Sequence, residues 1–413
     1  MRILVTSYGT EGDTRPMLAL CQGLIHAGHA ALFLGEASGA GLAATTEVPF
    51  VALAGDIRSA INRLLSAGTP RRPAEVTRSI AALATEHSAD WMQALVEQGQ
   101  GCDAIVFSGL TSYVALSVAE HLGIPAIGAG LQPLAPTRAF PSPFLPPLPL
   151  PAFCNRLSHQ FVMALLWRAF RSSINAARRA VTGQPPRRGM WRDYPILLGI
   201  SPQLVPRPDD WPDLVQITGD WPLPSTPWTP PDRMAQFLAG GPPVYIGFGS
   251  MIGFDRERVL KTLVSALDGR RALLFRGWSE LTGSNLPATI LPIGPLPHDR
   301  LFPLVSLAVH HGGAGTSHTA TRAGIPSVVM PIAGDQFFWA GRLAKLGVAP
   351  RYDARRSLDA EALRRALIEA ETDGMRERAR DIGRRMRAES GVSTAVGLVE
   401  GLAGGGSRPS PPH

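Results

Sequence analysis

The chain has 413 residues, of which 45% are hydrophobic and 18% charged, and a formal net charge of +7. Its length calls for two or more domains, each with its own core, and its composition is that of an ordinary globular protein, not a disordered or fibrous one. No apolar run is long enough to span a bilayer. The three widely spaced cysteines, Cys21, Cys102 and Cys154, fit reduced thiols of the cytoplasm better than a disulfide frame or a metal site.

In chain order, residues 2–7 read as a first β-strand; the apolar run is too short for a signal peptide and ends at Gly9 to Asp13 without a cleavage pattern. Residues 15–27 are helical, with Leu18, Leu20, Leu24 and Ile25 as the apolar face and Gly28 as the stop. Strands follow at 30–34 and 104–108, then a helix at 112–122 ending at Gly123, and a strand at 124–129. This βαβ rhythm implies a parallel sheet covered by helices. Residues 132–152 break the rhythm with eight prolines and read as a long loop or flap. Residues 157–181 return to helical spacing with Phe161, Leu165, Leu166, Trp167 and Phe170, a pattern that favours core packing. The segment 219–231, GDWPLPSTPWTPP, is a linker by composition. Beyond it the rhythm restarts, with strands at 243–247, 272–276, 304–309 and 327–330 and helices at 257–267 and 317–323. Arg364, Arg365, Arg376, Arg378, Arg380, Arg384, Arg385 and Arg387 crowd the C-terminal helical region. Their first reading is a solvated helix face, and weak attraction to an acidic membrane surface is the alternative. No aromatic-basic interleaving accompanies them, so nucleic acid is not an expected partner. Residues 401–413, rich in Gly, Ser and Pro, read as disordered.

Residues 309–331, VHHGGAGTSHTATRAGIPSVVMP, and 332–339, IAGDQFFW, carry the most chemistry. A turn of small residues opening a helix lets backbone N–H groups approach an anion, and the helix start adds partial positive charge. His310 or His311 would add a hydrogen bond. Asp335 and Gln336 emerge where a parallel strand ends, which is where open α/β sheets bind ligands. An anion seat beside groups that grip hydroxyls describes a nucleotide sugar.

This block resembles the donor-binding signature of family 1 glycosyltransferases. GDQFFW is similar to the sterol glucosyltransferases, and its GDQ part to glycosyltransferases of glycopeptide and other antibiotic pathways. YGTEGDTRP resembles the family's GSxGDxxP loop, ITGDWP its interdomain segment, and APTRAFPSP the acceptor domain of the sterol-type branch. The resemblance reaches to about Gly401. It implies an α/β GT-B fold, two Rossmann-like parallel-sheet domains facing across a cleft. Residues 1–218 would bind the acceptor and 219–231 link the domains. Residues 232–385 would bind the nucleotide sugar, 386–403 would pack back on the N-terminal domain, and 404–413 would form a disordered tail. By the same resemblance, His310, Gly313, Gly315, Thr316 and Ser250 would hold the donor diphosphate, Asp335 and Gln336 the sugar, and Trp278, Leu296 and Arg276 the nucleoside. Phe140, Phe144 and Phe153 would line the acceptor site. Asp13 would be the general base for an inverting transfer of a hexose, glucose by preference, to a hydroxyl of an apolar aglycone or sterol-like lipid. No Asp-x-Asp triplet is present to hold a metal, so no metal or other cofactor is expected beyond the nucleotide sugar, a UDP- or TDP-sugar, as co-substrate. The expected state is a monomer or homodimer. Two other readings stay open: a nucleotide-sugar 2-epimerase of the same fold, and a catalytically silent nucleotide-sugar-binding auxiliary protein.

Overall fold

The computed structural model describes residues 1–57, 59, 81–146, 150–224, 227–249, 255–277, 286–352 and 358–404. Two parallel sheets organise it. The first contains β1 (Arg2–Tyr8), β2 (Ala30–Glu36), β3 (Phe50–Leu53), β4 (Ala104–Gly109), β5 (Ala126–Gly130), β6 (Ile196–Leu198) and β7 (Val215–Ile217), in the order β3-β2-β1-β4-β5-β6-β7. The second contains β8 (Val244–Gly247), β9 (Ala272–Phe275), β10 (Ile290–Ile293), β11 (Leu307–His310) and β12 (Ser327–Val329), in the order β10-β9-β8-β11-β12. Their near-continuous apolar runs follow from burial on both faces, which helix-covered parallel sheets require. Four of these strands, β3, β6, β7 and β10, lie outside the sequence pattern. They are only three or four residues long, too short to display a period.

The alternation of side chains across the first sheet divides its core. Ile3 and Val5 face α1 (Glu11–His26) and the last helix. Leu4 and Tyr8 face α2 (Ser88–Gly99), α3 (Ser112–Leu122) and α4 (Asn155–Ala177). In the second lobe, α5 (Ala314–Ala323) follows β11 and α6 (Gln336–Lys345) follows β12. The chain closes with α7 (Asp373–Arg387) and α8 (Gly391–Gly404). The last helix runs through Gly404, so residues 401–404, expected to be disordered, are helical; they continue an apolar face that packs on α1. The remainder of that expected tail lies outside the described residues.

The lobes share an apolar seam in which Phe140, Trp211 and Leu204 of the first meet Trp339, Leu343 and Met386 of the second. Polar contacts reinforce it. Arg342 donates Nε–H to the Leu204 carbonyl at 2.7 Å, and Ser201 donates Oγ–H to Glu389 at 2.6 Å. The chain crosses between lobes twice, after β7 and again before α8, and the two crossings touch. Gly219 has φ of +107°, and a Cβ on Gly391 would run into the backbone of Gly219 and Asp220, so neither position has room for a side chain. Once across, α8 buries Ala395, Val396 and Val399 against α1, and His29 lies 2.7 Å from Glu400.

Candidate functional site

Both sheets reverse their strand order beside their first strand, between β1 and β4 and between β8 and β11. Open α/β sheets bind ligands at the carboxyl ends of strands at such a switch point. β1 runs out through Tyr8 and Gly9 into α1, which begins at Glu11, four residues earlier than the sequence pattern places it. Thr10 is therefore the N-cap, and Asp13 stands at the third helical position. Its Oδ2 accepts from the Thr10 backbone N–H at 2.9 Å and from Thr10 Oγ1 at 3.5 Å, as a capping-box acid does. Gly9 leaves room for this arrangement, because a Cβ there would overlap the Asp13 carboxylate. Asp13 Oδ1 has no hydrogen-bond partner among the described residues. Burial pushes the Asp13 carboxyl up to about 6, against the lowering effect of the Thr10 N–H, and the negative charge of Asp335 raises it further.

On the opposite lobe, β11 delivers His310 into the interior, fully buried and in register with Gly247 of β8 and Val329 of β12. The Gly312 N–H donates to His310 Nδ1 at 3.0 Å. The ring proton is thereby assigned to Nε2, a buried donor with no partner among the described residues. Burial, with the neighbouring His311 and His298, lowers the pKa of His310 to about 3, so the ring is neutral at physiological pH. His311 is likewise lowered, to about 4, by burial and then by His298, and its Nδ1 also lacks a partner. Immediately beyond, α5 starts at Ala314 after Gly313, whose lack of a side chain leaves the first-turn amides of Ala314, Gly315 and Thr316 without a cap. Such amides carry the positive end of the helix dipole. The neutral N–H of His310 and this helix start together form a seat for an anion.

β12 leads to the loop that carries Asp335 and Gln336. Asp335 Oδ2 accepts from Trp339 Nε1 at 2.9 Å, and the side chain of Gln132, which comes from the other lobe, lies near enough to lower the Asp335 pKa. Burial raises the Asp335 pKa, while these donors oppose the rise. Gln336, expected to grip the sugar, has its side-chain oxygen engaged within its own loop. Its Oε1 accepts from the Ile332 and Ala333 N–H groups at 2.7 and 3.1 Å, so this oxygen closes the 332–336 loop instead of facing a ligand. Asp335 approaches Asp13 from the opposite lobe closely enough for its negative charge to raise the Asp13 pKa, so both switch points open on one crevice.

Two expected residues, Ser250 and Trp278, lie outside the described residues. Arg276 is exposed just past β9, and its N–H reaches the Ile293 carbonyl at 3.4 Å. Leu296 is half-buried against the β9–β10 side of the second lobe. The three phenylalanines expected to line an acceptor site do not share one wall. Phe140 is packed into the interlobe seam between Trp211 and Phe338, whereas Phe144 and Phe153 are turned to solvent. Of the helical set, Trp167 and Phe170 enter the core against Tyr113, but Phe161 and Leu165 remain outside it.

Three residues that sequence reasoning left unassigned organise the site. Trp339 fixes Asp335. His318 on α5 accepts the Ser201 N–H at Nε2, 3.1 Å away, and donates from Nδ1 to the Ala314 carbonyl at 2.8 Å, joining the lobe seam to the start of α5. Its ring also meets Trp339 at a centroid distance of 5.0 Å. Gln132 reaches Asp335 across the cleft. Trp339 sits within GDQFFW, four residues after Asp335, and that spacing on a helix was the available signal.

Two Rossmann-like lobes facing each other, with a carboxylate from one and an anion seat from the other on a shared crevice, define a GT-B scaffold. Comparison with known proteins agrees. Residues 3–141 match the glycosyltransferase family 28 N-terminal domain, and residues 258–396 match the C-terminal domain of erythromycin biosynthesis protein CIII-like proteins. A sterol 3-beta-glucosyltransferase of Aspergillus fumigatus is 31% identical over 97% of this chain and 30% of its own length. The enzyme of the same name from Debaryomyces hansenii is 31% identical over 95% of this chain and 26% of its own. The chain thus spans less than a third of these curated relatives. Among solved structures, the glycotransferase of kitacinnamycin superposes with a TM-score of 0.73 at 20% identity, covering 97% of this chain and 99% of that one. Glycosyltransferase VinC, solved in complex with dTDP, gives 0.67 at 18% identity, covering 98% and 100%. The chain belongs to the family 1 GT-B glycosyltransferases.

Proposed function

We propose that this protein transfers a hexose, glucose by preference, from a nucleoside-diphosphate sugar to a hydroxyl of an apolar acceptor such as a sterol or a natural-product aglycone, with inversion at the anomeric carbon. The observation that carries the reading is the approach of Asp13 to Asp335 across one cleft, with the His310 N–H and the uncapped start of α5 on the same lobe as Asp335. The acceptor oxygen attacks the anomeric carbon while its proton passes to Asp13 Oδ1. The bond from that carbon to the β-phosphate oxygen breaks, and the nucleoside diphosphate leaves into the opposite lobe. A carboxyl near 6 suits a general base at neutral pH, a contribution of roughly 10²–10⁴-fold in rate. Charge grows on the departing diphosphate, where the His310 N–H and the helix start meet it; donors placed at developing charge favour the transition state over the ground state. The helix start contributes about 0.3–1 kcal/mol, and up to about 2 when partly buried. In this reading, these groups supply the leaving-group stabilisation that a divalent metal supplies elsewhere.

The dTDP complex of VinC supports a nucleoside diphosphate as the occupant, and the similarity to fungal sterol 3-beta-glucosyltransferases supports glucose and a sterol-like acceptor. The test is a panel of nucleotide sugars against hydroxylated apolar acceptors, read by mass spectrometry with the anomeric configuration assigned by NMR. A β-linked monohexoside from an α-linked donor is the expected product. Epimerised donor, or tight donor binding without product in any combination, overturns the proposal.

A further inference from the structure

Eight large hydrophobic side chains are exposed among the described residues, and five of them, Phe144, Phe153, Leu157, Phe161 and Leu165, fall on α4 and the loop feeding it. The other three, Leu214, Leu304 and Ile368, lie far apart in sequence, and isolated exposed hydrophobics need no explanation. The α4 group is periodic. Phe153, Leu157, Phe161 and Leu165 recur every fourth residue, a stripe about 18 Å long at 1.5 Å per residue, and they are 77%, 59%, 61% and 56% exposed. The opposite side of the helix is already in the core, where Val162, Trp167, Phe170 and Ile174 are buried. A helix apolar on both sides has a second apolar partner.

The charges on α4 identify that partner. Between Asn155 and Ala177 the helix contains no acidic residue and three arginines. Arg156 lies in the field of Asp210. Arg168 and Arg171 are exposed within two turns after Leu165 and form no ion pair among the described residues. Most of the C-terminal arginines are engaged by contrast. Arg384 and Arg385 bond Asp381, Arg364 and Arg365 bond Glu361, and Arg378 and Arg387 bond backbone carbonyls. We propose that the α4 face docks on an anionic lipid bilayer, with Phe153, Leu157, Phe161 and Leu165 entering the headgroup–acyl boundary and Arg168 and Arg171 meeting lipid phosphates. Long cationic side chains reach to phosphate depth while apolar neighbours insert. The protein would lie on the membrane; no described helix is long and apolar enough to cross it.

Flotation of the full chain with phosphatidylcholine vesicles, with and without phosphatidylglycerol, tests this. Wild-type protein should float with the phosphatidylglycerol vesicles, and added salt should weaken its partitioning. Phe161→Ser combined with Leu165→Ser should reduce partitioning about tenfold or more, from the lost apolar burial. Arg168→Gln with Arg171→Gln should abolish the preference for phosphatidylglycerol, also about tenfold. The altered side chains are exposed, and an unchanged melting temperature checks that each variant is folded. Wild-type protein that floats with neither vesicle overturns the proposal. So does flotation unaffected by the Ser substitutions, or a lipid-free dimer in sedimentation equilibrium that those substitutions dissolve, which would make a second copy the occupant.

Discussion

Replacing Trp339 with Phe separates the two halves of the donor site. The indole N–H donates to Asp335 Oδ2 at 2.9 Å, and phenylalanine keeps an aromatic ring beside His318 while removing that donor. A hydrogen bond to an ionised group is worth about 1.5–3 kcal/mol net, or roughly ten- to a hundredfold in an equilibrium constant. Asp335 faces the sugar in the proposed function, whereas the diphosphate rests on His310 and the start of α5. Loss of the indole N–H should therefore raise KM for the nucleotide sugar about tenfold or more and leave affinity for the bare nucleoside diphosphate unchanged. Trp339 is fully buried, and the smaller ring costs stability, so the thermal midpoint must be followed in parallel and the assay run well below it. Steady-state kinetics with the nucleotide sugar, together with calorimetry using UDP or dTDP, give the two readouts. An unchanged KM in folded protein, or an equal loss of affinity for both ligands, refutes the view that Trp339 acts by orienting Asp335.

Asp13→Asn should lower kcat at least a hundredfold with donor affinity nearly intact, since the residue acts on the acceptor proton; unchanged turnover removes it from the mechanism. In wild-type protein, log(kcat/KM) should climb with pH and level off above about 6, where the Asp13 carboxyl ionises; a flat profile from pH 5 to 8 contradicts that assignment. His310→Ala should weaken nucleoside diphosphate binding about tenfold or more by calorimetry, because the buried Nε2–H is lost, and equal affinity would rule out the contact. Stability gives an independent check. The folded pKa of Asp13 lies above that of a free aspartate near 4, so the folded chain holds a proton that the unfolded chain releases between about pH 4 and 6. Wild-type stability should fall as pH rises through that window, and Asp13→Asn should remove that part of the slope. Identical melting curves for both proteins across the window would speak against the raised pKa.

The parallel-sheet architecture was legible because the long buried strands and the helix at 112–122 announce themselves by periodicity and by glycine stops. β6 and β7 were not, since each takes its place only from a distant neighbour, β6 from β5 and β7 from β6. The positions of His310 at the end of a strand and of Asp335 in the loop after the next strand could be read locally, as each sits in a segment whose turn chemistry is nearly self-sufficient. The loop bonds of Gln336 could not be read, since only the folded loop brings the Ile332 and Ala333 amides to its oxygen. Gln132 and His318 were invisible for a different reason. Their partners lie roughly two hundred and one hundred residues away in the chain, and no local pattern encodes a contact made only when the lobes meet.

The double crossing at Gly219 and Gly391 constrains how this protein can be recombined. Its final helix belongs in space to the lobe at the other end of the chain, so a chimera that swaps acceptor halves at 219 alone would leave α8 matched to the wrong α1. Gly23, above which Val392 sits too closely to admit a methyl group, and the His29–Glu400 pair are the fittings such a graft would break. Exchanging residues 1–218 together with 391–404 preserves them. Successful acceptor-lobe transplants should be those that carry the tail along.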